Sequence, residues 1–130
     1  STVVSQALAG IPLGELGWIK AHGTGTRLND AAELHGLDAA LGARLRQVPL
    51  TSLKPTLGHC LGASGAVETV AAVLSLEARR VPPTLGTMRV DGDLPPMRLA
   101  LAAGAPEGPV ALLLSESFGG RCAALALRAA

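Results

Sequence analysis

Two apolar runs toward the C-terminal end constrain the fold most. Residues 110–114 (Val-Ala-Leu-Leu-Leu) and 122–127 (Cys-Ala-Ala-Leu-Ala-Leu) are apolar at nearly every position. A strand with one wet face alternates apolar and polar residues, so runs without alternation read as strands of a sheet covered on both faces. They flank Phe118-Gly119-Gly120, whose glycines permit positive φ, and are read as an antiparallel pair. Residues 16–21 (Leu-Gly-Trp-Ile-Lys-Ala) and 48–52 (Val-Pro-Leu-Thr-Ser) are two further short strands. Helical patterns separate them. Asp30 followed by Glu33 has the form of a capping box, and Leu34, Leu37 and Leu41 recur at helical spacing, which predicts a helix over 30–41. Val67, Val70, Ala71 and Leu74 follow the i, i+3, i+4, i+7 rule, which predicts a helix from about residue 60 to 79, ended before Pro82-Pro83. Residues 1–9 read as the tail of a helix broken at Gly10-Ile11-Pro12, and the Pro-interrupted stretch 88–101 as an edge segment. The 16 Gly and 9 Pro leave no long linker, so residues 1–130 are expected to form a single α/β domain.

Two helices cover only one face of such a sheet. Helices are therefore expected on one face, with a second layer supplied by a partner. The composition argues the same way: only 16% of residues are charged and 48% are hydrophobic, against roughly 25% charged in a typical soluble domain. With a mean hydropathy of +0.39, too few polar groups exist to cover the whole surface. A net charge of +1 offers no electrostatic footprint for nucleic acid. No apolar run approaches the roughly 20 residues a bilayer requires, and no basic, apolar, cleavable leader is evident; a cytoplasmic chain with no membrane contact is expected. Cys60 and Cys122 form neither a disulfide framework nor a C-x-x-C pair.

Three polar loops each end an apolar run. In His22-Gly23-Thr24-Gly25-Thr26 the glycines let a ligand approach the backbone, and two hydroxyls at alternating positions suit an extended, amide-rich chain. The segment is no dinucleotide fingerprint, because Leu28 stands where the third glycine belongs. In Lys54-Pro55-Thr56-Leu57-Gly58-His59, an imidazole at the start of a helix favours the neutral form, able to donate one N–H to a developing oxyanion. Glu68 either offsets Lys54 or is a solvated helix carboxylate. Ser117-Phe118-Gly119-Gly120 is either a lining of backbone N–H groups or a plain hairpin turn. Both thiols read as packing residues rather than nucleophiles. A hydrolytic metal site built on His22, His35 and His59 lacks any HExxH-like spacing, so no metal is expected.

Taken together, these segments resemble a known family. Ala21-His22-Gly23-Thr24-Gly25-Thr26 with Asp30 and Glu33, then Lys54-Pro55 with Gly58-His59, then Gly62-Ala63-Ser64-Gly65-Ala66-Val67-Glu68, then Val81-Pro82-Pro83-Thr84 resemble the C-terminal half of the β-ketoacyl-acyl-carrier-protein synthases (ketosynthases, thiolase superfamily). The likeness runs from about residue 16 to 87 and weakens beyond. It implies one half of a thiolase-like fold with a five-stranded mixed sheet, the half bearing the nucleophilic cysteine being absent. It further implies decarboxylative condensation of malonyl-acyl-carrier protein with an acyl thioester, in fatty acid or polyketide biosynthesis. By motif, His22 and His59 correspond to the pair that binds the malonyl thioester carbonyl, and Lys54 to the lysine that positions them and pairs with Glu68. Asp30 and Glu33 correspond to a supporting network, Thr24 and Thr26 to hydroxyls on the phosphopantetheine arm. No cofactor is implied, since the substrates ride on the phosphopantetheine of an acyl carrier protein. The partners implied are the N-terminal half or subunit, the acyl carrier protein and a dimer of the assembled fold.

The third loop departs from the pattern. The family carries Asn-Ser-Phe-Gly-Phe-Gly-Gly-Thr-Asn; here the gapless reading is Glu116-Ser117-Phe118-Gly119-Gly120-Arg121-Cys122. The second Phe, a gate whose N–H serves the acyl site, falls on Gly120. The acyl-site loop Phe118, Gly119, Gly120 is thus altered, while the malonyl motifs are intact. The alternative reading is a non-catalytic ketosynthase-like partner that sets chain length or docks the carrier.

Overall fold

The computed structural model describes residues 2–129. A short helix α1 (Thr2–Ala7) leads through a 3-10 turn into strand β1 (Leu16–Lys20), then helix α2 (Arg27–Leu41) and strand β2 (Pro49–Thr51). A single helical turn α3 (Lys54–Leu57) and a 3-10 turn (Leu61–Ala63) precede helix α4 (Ser64–Glu77). The two-residue strand β3 (Arg98–Leu99) and the hairpin β4 (Val110–Ser117) and β5 (Arg121–Arg128) complete the chain. The sheet is five-stranded and mixed, in the order β3-β2-β1-β4-β5. β1 runs parallel to β2 and β4, β2 parallel to β3, and β5 antiparallel to β4. The α/β class and the antiparallel terminal pair agree with the sequence, and the segment 88–101 does supply an edge strand.

Side-chain parity divides the core in two. Leu16, Ile19, Leu50, Val110, Leu112 and Leu114 pack with Val4, Leu34, Leu37 and Leu41 of α1 and α2. Trp18, Ala111 and Leu113 point the other way, onto Ala72 and Leu76 of α4. Leu16 and Ile19 share a face despite their spacing because the β1–β4 register shifts between Leu16 and Trp18. Gly17 sits in that irregularity, where an added Cβ would lie 2.0 Å from the carbonyl oxygen of Gly108.

The expectation of helices on one face is therefore corrected: α1 and α2 cover one face and α4 the other. The strand side chains show it: Leu16, Ile19 and Leu112 face α1 and α2, while Trp18, Ala111 and Leu113 face α4.

This changes where a further layer is needed. The second face of the sheet is covered by the chain's own α4, which buries Ser64, Glu68, Ala72 and Leu76. The apolar stripe that predicted the helix points outward instead: Val70 is 60% and Leu74 59% exposed, with Val67 and Val73 also uncovered. β5 is likewise an open edge strand with mostly exposed residues rather than a strand covered on both faces.

Candidate functional site

Adjacent parallel strands deliver their following loops to the same end of a sheet. Lys20 is in register with Thr51, so the loop after β1, carrying His22, and the segment after β2, carrying Lys54 and His59, emerge side by side. The rings of His22 and His59 meet edge to face, with centroids 5.6 Å apart. A cleft of about 900 Å³ lies beside the pair, lined among others by Thr24, Asp30, Lys54, His59 and Thr84, with His59 rather than His22 on its wall.

Lys54 is buried, and all three of its ammonium protons have acceptors. They are Oε1 of Glu68 at 2.7 Å, the carbonyl of His22 at 2.6 Å and Nδ1 of His22 at 3.2 Å. Lysine has no lone pair to offer when charged, so Nδ1 of His22 is the acceptor and the neutral ring carries its proton on Nε2. In His59 the backbone N–H of Leu61 donates to Nδ1 at 3.2 Å, with the hydroxyl of Ser64 3.1 Å from the same atom. The neutral His59 ring therefore also carries its proton on Nε2. Leu61 holds φ at +49° to deliver that N–H. The helix does not begin at His59, as the sequence suggested: α4 starts at Ser64, and the turn between fixes the tautomer.

Glu68 is 1% exposed and is no solvated carboxylate. Its second oxygen binds the ammonium of Lys20, which also donates to the carbonyl of Leu114 at 2.5 Å. Burial alone would raise the Glu68 carboxyl, but the two lysines outweigh it and hold it below the ordinary range. Burial lowers the Lys20 ammonium against the pull of its bond to Glu68; with both lysines protonated, one carboxylate between them leaves a surplus positive charge beside His22. Burial first, then Lys54 and Lys20, lowers His22 from 6.5 to about 4, so at neutral pH it is an uncharged donor.

Asp30 and Glu33 do not form a capping box. α2 begins a turn earlier, after Thr26, with no side-chain cap bond. The two carboxylates instead reach back to the histidine loop. Glu33 accepts the backbone N–H groups of His22 at 2.5 Å and Gly23 at 2.9 Å, and Asp30 accepts that of Gly25 at 3.2 Å. Burial pushes the Glu33 carboxyl up to about 7, against the pull of the two N–H bonds. Thr24 and Thr26 bond each other at 2.9 Å near the surface.

The third loop is not brought to the pair. β4 continues four residues beyond Leu113, the partner of Lys20. Phe118 at the tip is fully exposed, and Gly119 and Gly120 take φ of +82° and +73° as a hairpin turn. Cys60 is half-buried and Cys122 exposed. Among the described residues no cluster of three His, Cys, Asp or Glu side chains is arranged to hold a metal ion.

Sequence reasoning missed four contributors. Lys20 was the one charge inside an otherwise apolar strand, a signal that was visible. Ser52 donates to the carbonyl of Gly23 at 2.6 Å and receives the N–H of Lys54, while Thr84 accepts the N–H of Ser52 at 2.9 Å. Ser64 and Thr84 stand in the segments that carry the family resemblance but had no role assigned, and Ser52 had no pattern to mark it before the loops were placed in space.

The fold and the paired loops define a thiolase-like α/β domain. The chain superposes with TM-score 0.90 and 32% identity on a chain from the complex of a type II PKS acyl-carrier protein with its ketosynthase bound to the hexaketide, covering 98% of this chain and 32% of that one. It superposes with TM-score 0.88 and 35% identity on a chain from the complex of the ketosynthase ApeO with its chain length factor ApeC from Xenorhabdus doucetiae, again covering 98% and 32%. The 3-oxoacyl-[acyl-carrier-protein] synthase 2 of Mycobacterium bovis is 38% identical over 113 residues, 86% of this chain and 26% of that protein. The family model for the β-ketoacyl synthase C-terminal domain matches residues 2–88. The chain belongs to the β-ketoacyl synthase family and spans about a quarter of the length of the curated relatives it matches. No helix among the described residues is long and apolar enough to cross a membrane.

Proposed function

We propose that this chain is the C-terminal half of a decarboxylating ketosynthase. With a cysteine-bearing N-terminal half, it condenses malonyl-acyl-carrier protein with an acyl thioester in fatty acid or polyketide biosynthesis. The observation that carries this reading is the pair of imidazoles, 5.6 Å apart, each with Nδ1 occupied as an acceptor and its proton left on Nε2. Two preorganised N–H donors stabilise charge that develops on one oxygen, each worth about 3–4 kcal/mol in comparable sites.

In this mechanism the malonyl thioester carbonyl accepts from His22 and His59. As the bond to the carboxylate breaks, CO2 leaves and the electron pair moves toward that carbonyl oxygen, giving an enolate. Its carbon attacks the acyl group held as a thioester on the companion half, forming the new C–C bond and expelling the cysteine thiolate. Lys54 orients His22, Glu68 holds Lys54, Asp30 and Glu33 hold the loop, and Thr24 and Thr26 face the phosphopantetheine arm. No resident cofactor takes part. The companion half covers the exposed valine and leucine stripe of α4, and the assembled fold, a cytoplasmic dimer, receives the acyl carrier protein at the cleft.

A second reading is a non-catalytic companion of chain-length-factor type. It is favoured by the altered loop Phe118, Gly119, Gly120, which leaves the family's gate position without a side chain. The test is to combine the chain with its first half and measure decarboxylation of malonyl-carrier protein and condensation. Loss of decarboxylation in His22→Ala and His59→Ala is expected. Decarboxylation unchanged in both variants defeats the catalytic reading and leaves the companion role.

A further inference from the structure

Lys20 stands in β1 between Ile19 and Ala21, 1% exposed, on a face whose other side chains are Trp18, Ala111 and Leu113. Burying an ammonium ion is costly even when it is paired, and a buried ion pair replaced whole by apolar side chains is often at least as stable. Glu68 already has a lysine partner in Lys54, so charge balance alone does not call for a second. Three placements give Lys20 another task. It takes Oε2 of Glu68, leaving Lys54 only Oε1. It is tied to the carbonyl of Leu114 on β4, so the carboxylate is held from the sheet as well as from its own helix. Lys54, restricted to one carboxylate oxygen, directs its other two protons to the carbonyl and Nδ1 of His22.

We infer that Lys20 is a positioning residue for the histidine pair: by occupying one oxygen of Glu68 it commits Lys54 to His22, and so fixes the His22 ring with its proton on Nε2. The groups facing His22 are Lys20 from β1, Lys54 from α3, Glu68 from α4, His59 from the loop before α4 and, at its backbone, Glu33 from α2. Among these, Lys20 and Lys54 both oppose protonation of the ring and Glu68 favours it. Without Lys20 the cluster is neutral overall, Lys54 can span both carboxylate oxygens, and Nδ1 of His22 loses its fixed donor. The consequence for catalysis rests on the ketosynthase reading; the consequence for the His22 ring does not.

The test uses Lys20→Met, uncharged and of similar length, and Lys20→Gln, which keeps a donor toward Glu68, both in the full-length protein that contains this chain. Imidazole ¹⁵N resonances report the titration midpoint and tautomer of His22, assigned by comparison with His22→Ala. The midpoint is expected to rise by about 0.5–1 pH unit in both variants, since a nearby like charge has been removed, with a mixed tautomer replacing the single Nε2–H form in Lys20→Met and the Nε2–H form retained in Lys20→Gln. The acid limb of malonyl-carrier decarboxylation moves up by the same amount, and kcat falls with KM unchanged. A His22 midpoint and tautomer unchanged in the two variants overturns the inference, as does failure of both to fold, which makes Lys20 a packing residue. A shifted His22 midpoint combined with decarboxylation that survives His22→Ala upholds the inference about Lys20 and overturns the catalytic role proposed for the pair.

Discussion

Glu68→Gln tests the charge cluster directly. The substitution keeps shape and one acceptor oxygen but leaves two buried ammonium groups, Lys20 and Lys54, with no counter-charge. At 2.7 Å and an effective dielectric of about 20, the contact with Lys54 is worth about 6 kcal/mol of attraction before desolvation. Removing one member of a buried pair costs about 3–5 kcal/mol net. That is a large share of a typical stability of about 5–15 kcal/mol. Glu68→Gln combined with Lys20→Met returns the cluster to the one surplus charge of the natural protein, so it is expected to recover about 2 kcal/mol or more of the loss. Lys20→Met alone, which leaves the Glu68–Lys54 pair intact, is expected to be close to neutral. The assay is a denaturant-unfolding cycle over the four proteins at neutral pH, repeated at high salt, because a dry pair is little affected by screening. Strong non-additivity is the expected signature of shared partners. Effects that simply add, or a Glu68→Gln cost below about 1 kcal/mol, would refute the claim that one carboxylate is shared by two lysines.

Three further outcomes follow from the same coordinates. The folded protein holds the Glu33 proton to about 7, while the unfolded chain releases it near 4.5. Glu33 therefore makes stability fall as pH rises through that window, opposing His22, whose lowered midpoint makes stability rise with pH between about 4 and 6.5; Glu33→Gln should make the net slope more positive, as read from unfolding midpoints between pH 4.5 and 7. Gly23 combines φ of +50° with a close approach, an added Cβ lying 2.6 Å from Cβ of Ser52. Gly23→Ala should cost about 2–4 kcal/mol and broaden the His22 resonances, and a change below about 0.5 kcal/mol would show that the loop relaxes freely. Val70→Glu and Leu74→Glu lie on the exposed stripe of α4. They should leave the circular-dichroism spectrum unchanged and weaken association with the companion half at least about tenfold, or 1.4 kcal/mol; unchanged association would place that interface elsewhere.

The uneven legibility of this chain has a physical cause. Helices and strands were readable because backbone periodicity is local: Leu34, Leu37 and Leu41 do face the core, and the runs at 16–21, 48–52 and 110–114 are strands buried as unbroken apolar sequences predict. The histidine loops were readable because adjacent parallel strands must bring their carboxyl ends together. What periodicity cannot state is which neighbour fills the apolar face. Val67, Val70 and Leu74 have the spacing of a core stripe, yet the stripe is uncovered, and the side that packs on the sheet is Ser64, Glu68, Ala72 and Leu76. Periodicity leaves Glu68 open between a partner for Lys54 and a solvated carboxylate; the pairing with Lys54 holds, and Lys20 joins it from the sheet. For Asp30 and Glu33 the capping-box spacing serves loop N–H groups instead of the helix end. Helix α4 thus has two distinct faces: an exposed apolar one, and a charged one that packs on the sheet and holds Lys54 against His22.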